Sequence, residues 1–423
     1  MKLPDLRFGS APLPEPSPGY DPAGDARALI FPGTPSPAGE LVPGQQFFES
    51  LGPGERYVVR IPDHWNGGLA VCGTPATRSE HANDAILGDF LLARGYAFAS
   101  GNKGIPYNAR FEPLDEAAHP ERAYSVPFPL GDAPPGSQLV RFGALDPEPI
   151  PVARWHEDLP AVVRAATEIV ATATGRRPAR TYALGLSMGG GQVRLLLERH
   201  PELVDGGLEW AAVYWTAQQN VLTYMPAFLR HMPAYVASDY RDRAAHDAIV
   251  AAGFPPDRLQ ENGTVRSLWD ANYSKVPPFY LDLTTFLFAT LLDPASDVST
   301  LEARAAYRPS AQAGRSIEPF AQSGAIERPL ISLAGEADVF ITPQRNAAPY
   351  LEAVRTAGRA DRYWQYIVAG GTHVDTFPAL GWNLRPQLPF VWAAFDRLVN
   401  IVENGDRPAG AGTSRRVESP AEI

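Results

Sequence analysis

Gly185-Leu186-Ser187-Met188-Gly189, followed by Gly190 and Gly191, is the stretch of this sequence best suited to chemistry. A serine hydroxyl becomes an accessible nucleophile when a tight strand-to-helix turn lifts it clear of a sheet. Such a turn brings strand and helix so close that the flanking positions must be small. Four strand-like residues, Thr181-Tyr182-Ala183-Leu184, precede the motif, and a helix-periodic run, Val193, Leu196 and Leu197, follows it. In a chain with 37 glycines the bare G-x-S-x-G pattern is weak, and the strand–turn–helix context is what separates it from a glycine-rich turn without chemistry.

A serine nucleophile needs a base. Of the eight histidines, His64, His81, His119 and His156 lie upstream, His200 ends the helix that the serine opens, and His231 and His246 fall in a long insertion. His373 alone sits in a short loop after a late strand, in Ile367-Val368-Ala369-Gly370-Gly371-Thr372-His373-Val374-Asp375. The two glycines let that loop turn inward over the sheet edge. The orienting acid is expected in Leu333-Ala334-Gly335-Glu336-Ala337-Asp338, a strand, a small-residue turn and a carboxylate. Asp338 is the first choice and Glu336 the second; Asp375, two residues from the base, is read as a brace for its loop. A carboxylate accepting the histidine Nδ1–H fixes the tautomer and stabilises the imidazolium.

These pieces need a sheet to bring them together. Buried strand signals recur at Tyr57–Ile61, Gly68–Cys72, Gly95–Ser100, Thr181–Leu184, Leu208–Val213, Leu330–Leu333 and Tyr363–Val368. Helical patterns fall between them: residues 83–93, an amphipathic run from Leu159 to Ala173 closed by Gly175, Met188–His200, Pro343–Arg355 and Phe390–Val402. The alternation predicts an α/β fold, a doubly wound, mostly parallel sheet carrying a large insertion. The expected domains are a proline-rich arm over 1–40, a catalytic domain over 41–215 and 329–404, a lid over 216–328 and a flexible tail over 405–423. Proline marks the same division: 43 in all, with nine in 1–37, ten in 103–152 and nine in 216–328.

Composition removes other classes. Apolar residues make up 45% of the 423, enough for a large core. The formal charge of −10 argues against nucleic-acid or anionic-membrane partners. Lysine is confined to Lys2, Lys103 and Lys275. One cysteine, Cys72, excludes an internal disulfide and a cysteine-rich metal site, and reads as a buried strand residue. Spacing gives no support to a metal site built on His231 and His246. No long apolar run and no apolar leader is visible, so a cytoplasmic protein is the simplest expectation, although a chain trimmed of a leader would look the same.

The chain order Ser187…Asp338…His373 resembles that of the α/β-hydrolase superfamily, across roughly residues 40 to 403. Gly335–Asp338, Thr342-Pro343, Pro349-Tyr350 and Gly371-Thr372-His373-Val374-Asp375-Thr376-Phe377 resemble the C-terminal pattern of hydroxybutyrate-oligomer hydrolases and tannase or feruloyl esterase-like enzymes. Tannases carry cysteines beside the nucleophile and the histidine, where this chain has Leu186 and Val374. The resemblance implies a serine carboxylic-ester hydrolase that acts through an acyl-enzyme on small to medium hydroxyacid or aromatic-acid esters, with no cofactor. It also implies an oxyanion hole from the N–H of Met188 and a donor in the loop after Cys72. Pro75 has no N–H, so Thr74 is the expected donor, with Gly73 in reserve. Trp215 is the aromatic expected to reach the substrate. A serine peptidase or an acyltransferase would use the same three residues, and a catalytically silent scaffold would normally have lost one. The oligomeric state stays open.

Overall fold

The computed structural model describes residues 6–8, 42–107, 109–114, 124–129, 132–145, 148–261, 265–275, 280–375 and 382–423. Its strands in chain order are β1 Leu6–Phe8, β2 Val42–Gly52, β3 Glu55–Pro62, β4 Gly68–Gly73, β5 Ala97–Gly101, β6 Ala109–Pro113, β7 Tyr124–Ser125, β8 Gln138–Phe142, β9 Arg180–Leu186, β10 Gly206–Trp210, β11 Leu330–Gly335, β12 Tyr363–Val368 and β13 Ser414–Val417. Ten of them form one sheet in the order β1-β2-β3-β5-β4-β9-β10-β11-β12-β13. β1, β2, β3 and β5 pair antiparallel, and every neighbouring pair from β5 to β13 is parallel.

Alternation along the strands sends side chains to both faces. In β4, Leu69 and Val71 pack with Leu159, Val163 and Leu197, while Ala70 and Cys72 pack with Phe90, Tyr182 and Phe395 on the other face. The helices Val152–Thr174, Met188–Arg199 and Ala347–Thr356 cover the first face, and Leu388–Asn404 with Asp89–Ala93 the second. A sheet clad on both sides explains why its strands read as near-continuous apolar runs. The chain leaves β5, beside β4, and re-enters the sheet as β9 on the other side of β4. Winding reverses there, so the loops at the carboxyl ends of β4 and β9 frame a crevice, where ligands of open α/β sheets bind.

Several expectations need correction. The tail expected to fray over 405–423 instead carries β13, paired with β12, and buries Val417 and Ile423. β2 had no clear sequence signal, yet pairs with β3 along its length. β10 ends at Trp210 rather than Val213, because Ala211 turns into the left-handed region at φ 48°. The long helix begins at Val152, seven residues before its expected start, with Trp155 and His156 buried on its added turn. Residues 343–346 form a turn, and the helix expected from Pro343 starts at Ala347. Most of the N-terminal arm, Phe279 and Thr376-Phe377 lie outside the described residues.

The excursion after β5 forms a small antiparallel sheet, β6-β8-β7. It shares one core with the insertion: Tyr124, Val140 and Phe142 cluster with Tyr224, Phe228, Trp269, Phe286 and Phe288. The Tyr124 hydroxyl donates to Asp282 at 2.5 Å, and Arg304 grips both oxygens of the same carboxylate. The insertion's aromatics therefore fill this shared core, which extends to Met188 and Trp215. No described helix is long and apolar enough to cross a membrane.

Candidate active site

Ser187 stands between β9 and the helix Met188–Arg199 with φ 59° and ψ −117°, a conformation costly for a residue with a Cβ. Backbone bonds hold it there. Its N–H donates to Trp210 at 2.8 Å, and its carbonyl accepts from Gly191 at 3.1 Å and Val213 at 3.1 Å. A Cβ on Gly185 would strike the carbonyl of Gly189, and one on Gly189 would strike the carbonyl of Gly73. The glycines of the motif are thus required by the closeness of strand, helix and neighbouring loop. Beneath the turn, Arg194 donates to Glu209 at 2.6 Å, both fully buried, and the second Glu209 oxygen accepts from Ala212 at 3.1 Å. That ion pair ties the serine's helix to β10 and to the turn that bonds Ser187.

Asp338 follows β11 and is 0% exposed. Its Oδ1 accepts from the N–H groups of Phe340 and Ile341, both at 2.8 Å, and its Oδ2 lies 2.9 Å from Nδ1 of His373. An ionised carboxylate only accepts, so the proton of this bond belongs to Nδ1 and the lone pair is left on Nε2, the arrangement of a general base. The two loops are stitched together: Ala337 N–H donates to Gly371 at 2.8 Å and Glu336 N–H to Val368 at 2.9 Å. The Phe340 ring meets the imidazole edge to face at 5.0 Å, and Tyr280 of the insertion lies 5.7 Å from Phe340.

The second carboxylate faces elsewhere. Glu336 accepts from Arg416 of β13 at 2.6 Å and from Gly370 N–H at 3.1 Å, and the Arg416 bond holds its carboxyl below the usual range. Asp375 accepts from the N–H groups of Gln387 at 2.6 Å and Leu388 at 3.0 Å. It therefore closes the start of the helix Leu388–Asn404; burial raises its pKa.

Register puts the three residues at one edge of the sheet. Leu186 of β9, Trp210 of β10 and Leu333 of β11 lie in one row, and Gly335 pairs with Val368 of β12. Ser187, Asp338 and His373 all follow the carboxyl ends of these parallel strands. With strands about 4.8 Å apart, the serine and acid loops, separated by β10, stand roughly 10 Å apart at the sheet edge.

Thr74 follows β4, and Gly73 pairs with Gly185. Gly73 leaves room for the serine's helix, since a Cβ there would lie 2.7 Å from the Gly189 carbonyl oxygen. Neither the Thr74 nor the Met188 N–H has a backbone acceptor among the described residues. Cys72 is fully buried and its thiol pKa is pushed well up by desolvation, which suits a packing residue. Trp215 is 0% exposed, with its indole against Phe288 at 5.0 Å and Phe320 at 5.5 Å, a packing position inside the shared core. Among the described residues no group of three or more His, Cys, Asp or Glu is placed to hold a metal.

The sequence gives no role to Phe340 or Lys103, and marks Tyr280 only as one of the insertion's many aromatics. Phe340 was within reach, two residues after the favoured acid. Tyr280 opens a helix of the insertion, and only tertiary packing brings it beside Phe340. Lys103 carried only the signal of being a rare lysine beside a glycine at the end of β5.

No protein-family profile and no curated protein matches the sequence. Solved structures do resemble it in fold. Feruloyl esterase B from Aspergillus oryzae superposes with a TM-score of 0.52 at 13% identity, over 88% of this chain and 82% of that one. An esterase from Aspergillus oryzae gives 0.48 at 11% identity over 88% and 82%, and the tannin acyl hydrolase from Aspergillus niger 0.47 at 15% over 87% and 79%. With its sheet order, the turn at Ser187 and the first of these superpositions, the chain has the α/β-hydrolase fold.

Proposed function

We propose that this protein is a serine carboxylic-ester hydrolase. The observation that carries the reading is the 2.9 Å bond between His373 Nδ1 and buried Asp338, at the same sheet edge as a serine held at positive φ in a strand-to-helix turn. In this mechanism Ser187 Oγ attacks the ester carbonyl and its proton passes to His373 Nε2. Asp338 stabilises the imidazolium, and the N–H groups of Met188 and Thr74 bind the oxyanion. Collapse of the tetrahedral intermediate expels the alcohol, which takes the proton from His373. Water, activated by the same histidine, then frees the acid and restores the serine. All charge is developed and neutralised by side chains and backbone, so no cofactor enters.

The substrates proposed are small to medium hydroxyacid or aromatic-acid esters. Support comes from the C-terminal motifs around Asp338 and His373, from the aromatic wall of Phe340 and Tyr280 beside the imidazole, and from likeness in fold to a feruloyl esterase. A panel of p-nitrophenyl, hydroxycinnamoyl, gallate and 3-hydroxybutyrate-oligomer esters tests this. Turnover of at least one, with a pre-steady-state burst of alcohol for activated esters, is expected. Failure on all of them would overturn the ester reading and point to amide or acyl-transfer chemistry.

A further inference from the structure

The chain's lysine at the end of β5 is buried and aimed at the loop that follows β4. Lys103 is 1% exposed, and its ammonium donates to the carbonyl of Thr74, to Thr74 Oγ1 at 2.5 Å and to the carbonyl of Ala76 at 2.9 Å. Three protons meet three acceptors, all on the one loop that carries the proposed second oxyanion donor. Burying an ammonium is unfavourable unless it is fully hydrogen-bonded, so its presence here calls for a return.

The backbone around it is strained and braced. Lys103 has φ 61° and Ala76 φ 42°, two non-glycine residues in the left-handed region, facing each other across the lysine's bonds. Asn102 locks the lysine's turn: its Oδ1 accepts from Arg56 N–H at 2.9 Å and Gly104 N–H at 3.0 Å, and its Nδ2 donates to Gly54 at 2.8 Å and Ile105 at 2.9 Å. Asp158, on the helix Val152–Thr174, is the acid whose charge acts on Lys103. Strain that the surroundings over-determine in this way clusters where geometry matters to function.

We propose that Lys103 is a positioning residue of the oxyanion hole: through its bonds to the carbonyl and hydroxyl of Thr74 and to the carbonyl of Ala76 it fixes the loop and so sets the direction of the Thr74 N–H. This rests on the ester-hydrolase reading above. It goes beyond that reading by assigning the loop's geometry to a residue outside the three that react. Burial, reinforced by Arg78, lowers the Lys103 pKa and outweighs the opposing attraction of Asp158.

The test uses the full-length protein, whichever ester of the panel wild type hydrolyses best, and a trifluoromethyl ketone whose serine adduct presents an oxyanion. Lys103→Met removes the ammonium but keeps the volume. Lys103→Gly removes it while relieving the positive φ, so that loss of backbone stability cannot explain its effect. Both are expected to lower kcat by about 10–100-fold with KM within about 3-fold, and to weaken the trifluoromethyl ketone by the same factor as kcat/KM; losing a whole oxyanion donor costs about 10²–10³. Where these variants do not fold, Thr74→Ala carries the same test, since it keeps the N–H and the lysine but removes one acceptor. It is expected to lower kcat by about 2–5-fold, matched in the inhibitor. Unchanged kcat, or a loss of kcat without a matching loss of inhibitor affinity, would overturn the role given to Lys103. Wild type that hydrolyses no ester would instead remove the reading on which it rests.

Discussion

On one side of Ser187 the loops after β11 and β12 are joined mainly through backbone and one carboxylate. On the other, the loops after β4 and β5 are joined by a lysine side chain. Asp338 has one oxygen occupied by the N–H groups of Phe340 and Ile341, two and three residues on, and the other by the imidazole 35 positions on, and backbone bonds join the two loops as well. Thr74 owes its setting to one buried side chain 29 positions away. Paired backbone bonds make the acid–histidine half stiff by construction. The oxyanion half keeps its shape only while a buried charge and two strained residues stay in place.

If this contrast is right, substitutions on the two sides should fail differently. Asp338→Asn should lower kcat by about 10⁴-fold by presenting the wrong partner to Nδ1, while Glu336→Gln, whose carboxylate faces Arg416, should stay within about 3-fold. Steady-state kinetics on one ester decides between them, and the reverse ranking would mean the acid is Glu336. Arg194→Met, which strands Glu209 beneath the serine turn, should cost about 3–5 kcal/mol of stability, read by denaturant unfolding. Gly189→Ala should disturb the lysine-held side first, because the new Cβ meets the Gly73 carbonyl; a cost of about 1–3 kcal/mol in stability with a larger fall in kcat than rise in KM is expected.

Arg416→Ala is the smallest effect. Its partner Glu336 has a folded-state pKa below the unfolded one, so the stabilisation is present above about pH 4.3, the ordinary glutamate value, and is lost as pH falls through the folded pKa. Both side chains are partly exposed, so solvent screens the pair and its contribution at neutral pH is small. The difference from wild type should vanish in acid; a difference that persists there would assign it to packing of β13.

The same contrast governs what the sequence disclosed. Ser187, Asp338 and His373 each sit just past an apolar strand with small residues beside them, because the close approach of neighbouring loops leaves no room for a Cβ at Gly185, Gly189 or Gly335. That steric demand writes a local pattern. Lys103 writes none, since its acceptors are carbonyls and a hydroxyl of a distant loop that any sequence would offer. β13 escaped for a different reason: Ser414, Arg415 and Arg416 are exposed at the sheet edge, and only Val417 is buried, so hydrogen bonding to β12 rather than apolar burial forms the strand. Trp215 is the aromatic expected to reach the substrate because it follows a strand end, whereas its ring packs into the core shared by the insertion and the small sheet.

The central claim is that Ser187 is an activated nucleophile. Incubation of wild type and Ser187→Ala with a fluorophosphonate, followed by intact mass and peptide mapping, tests it most directly. One adduct per chain on Ser187 in wild type and none in Ser187→Ala is the predicted result. An unlabelled wild type, or equal labelling of both proteins, would contradict it.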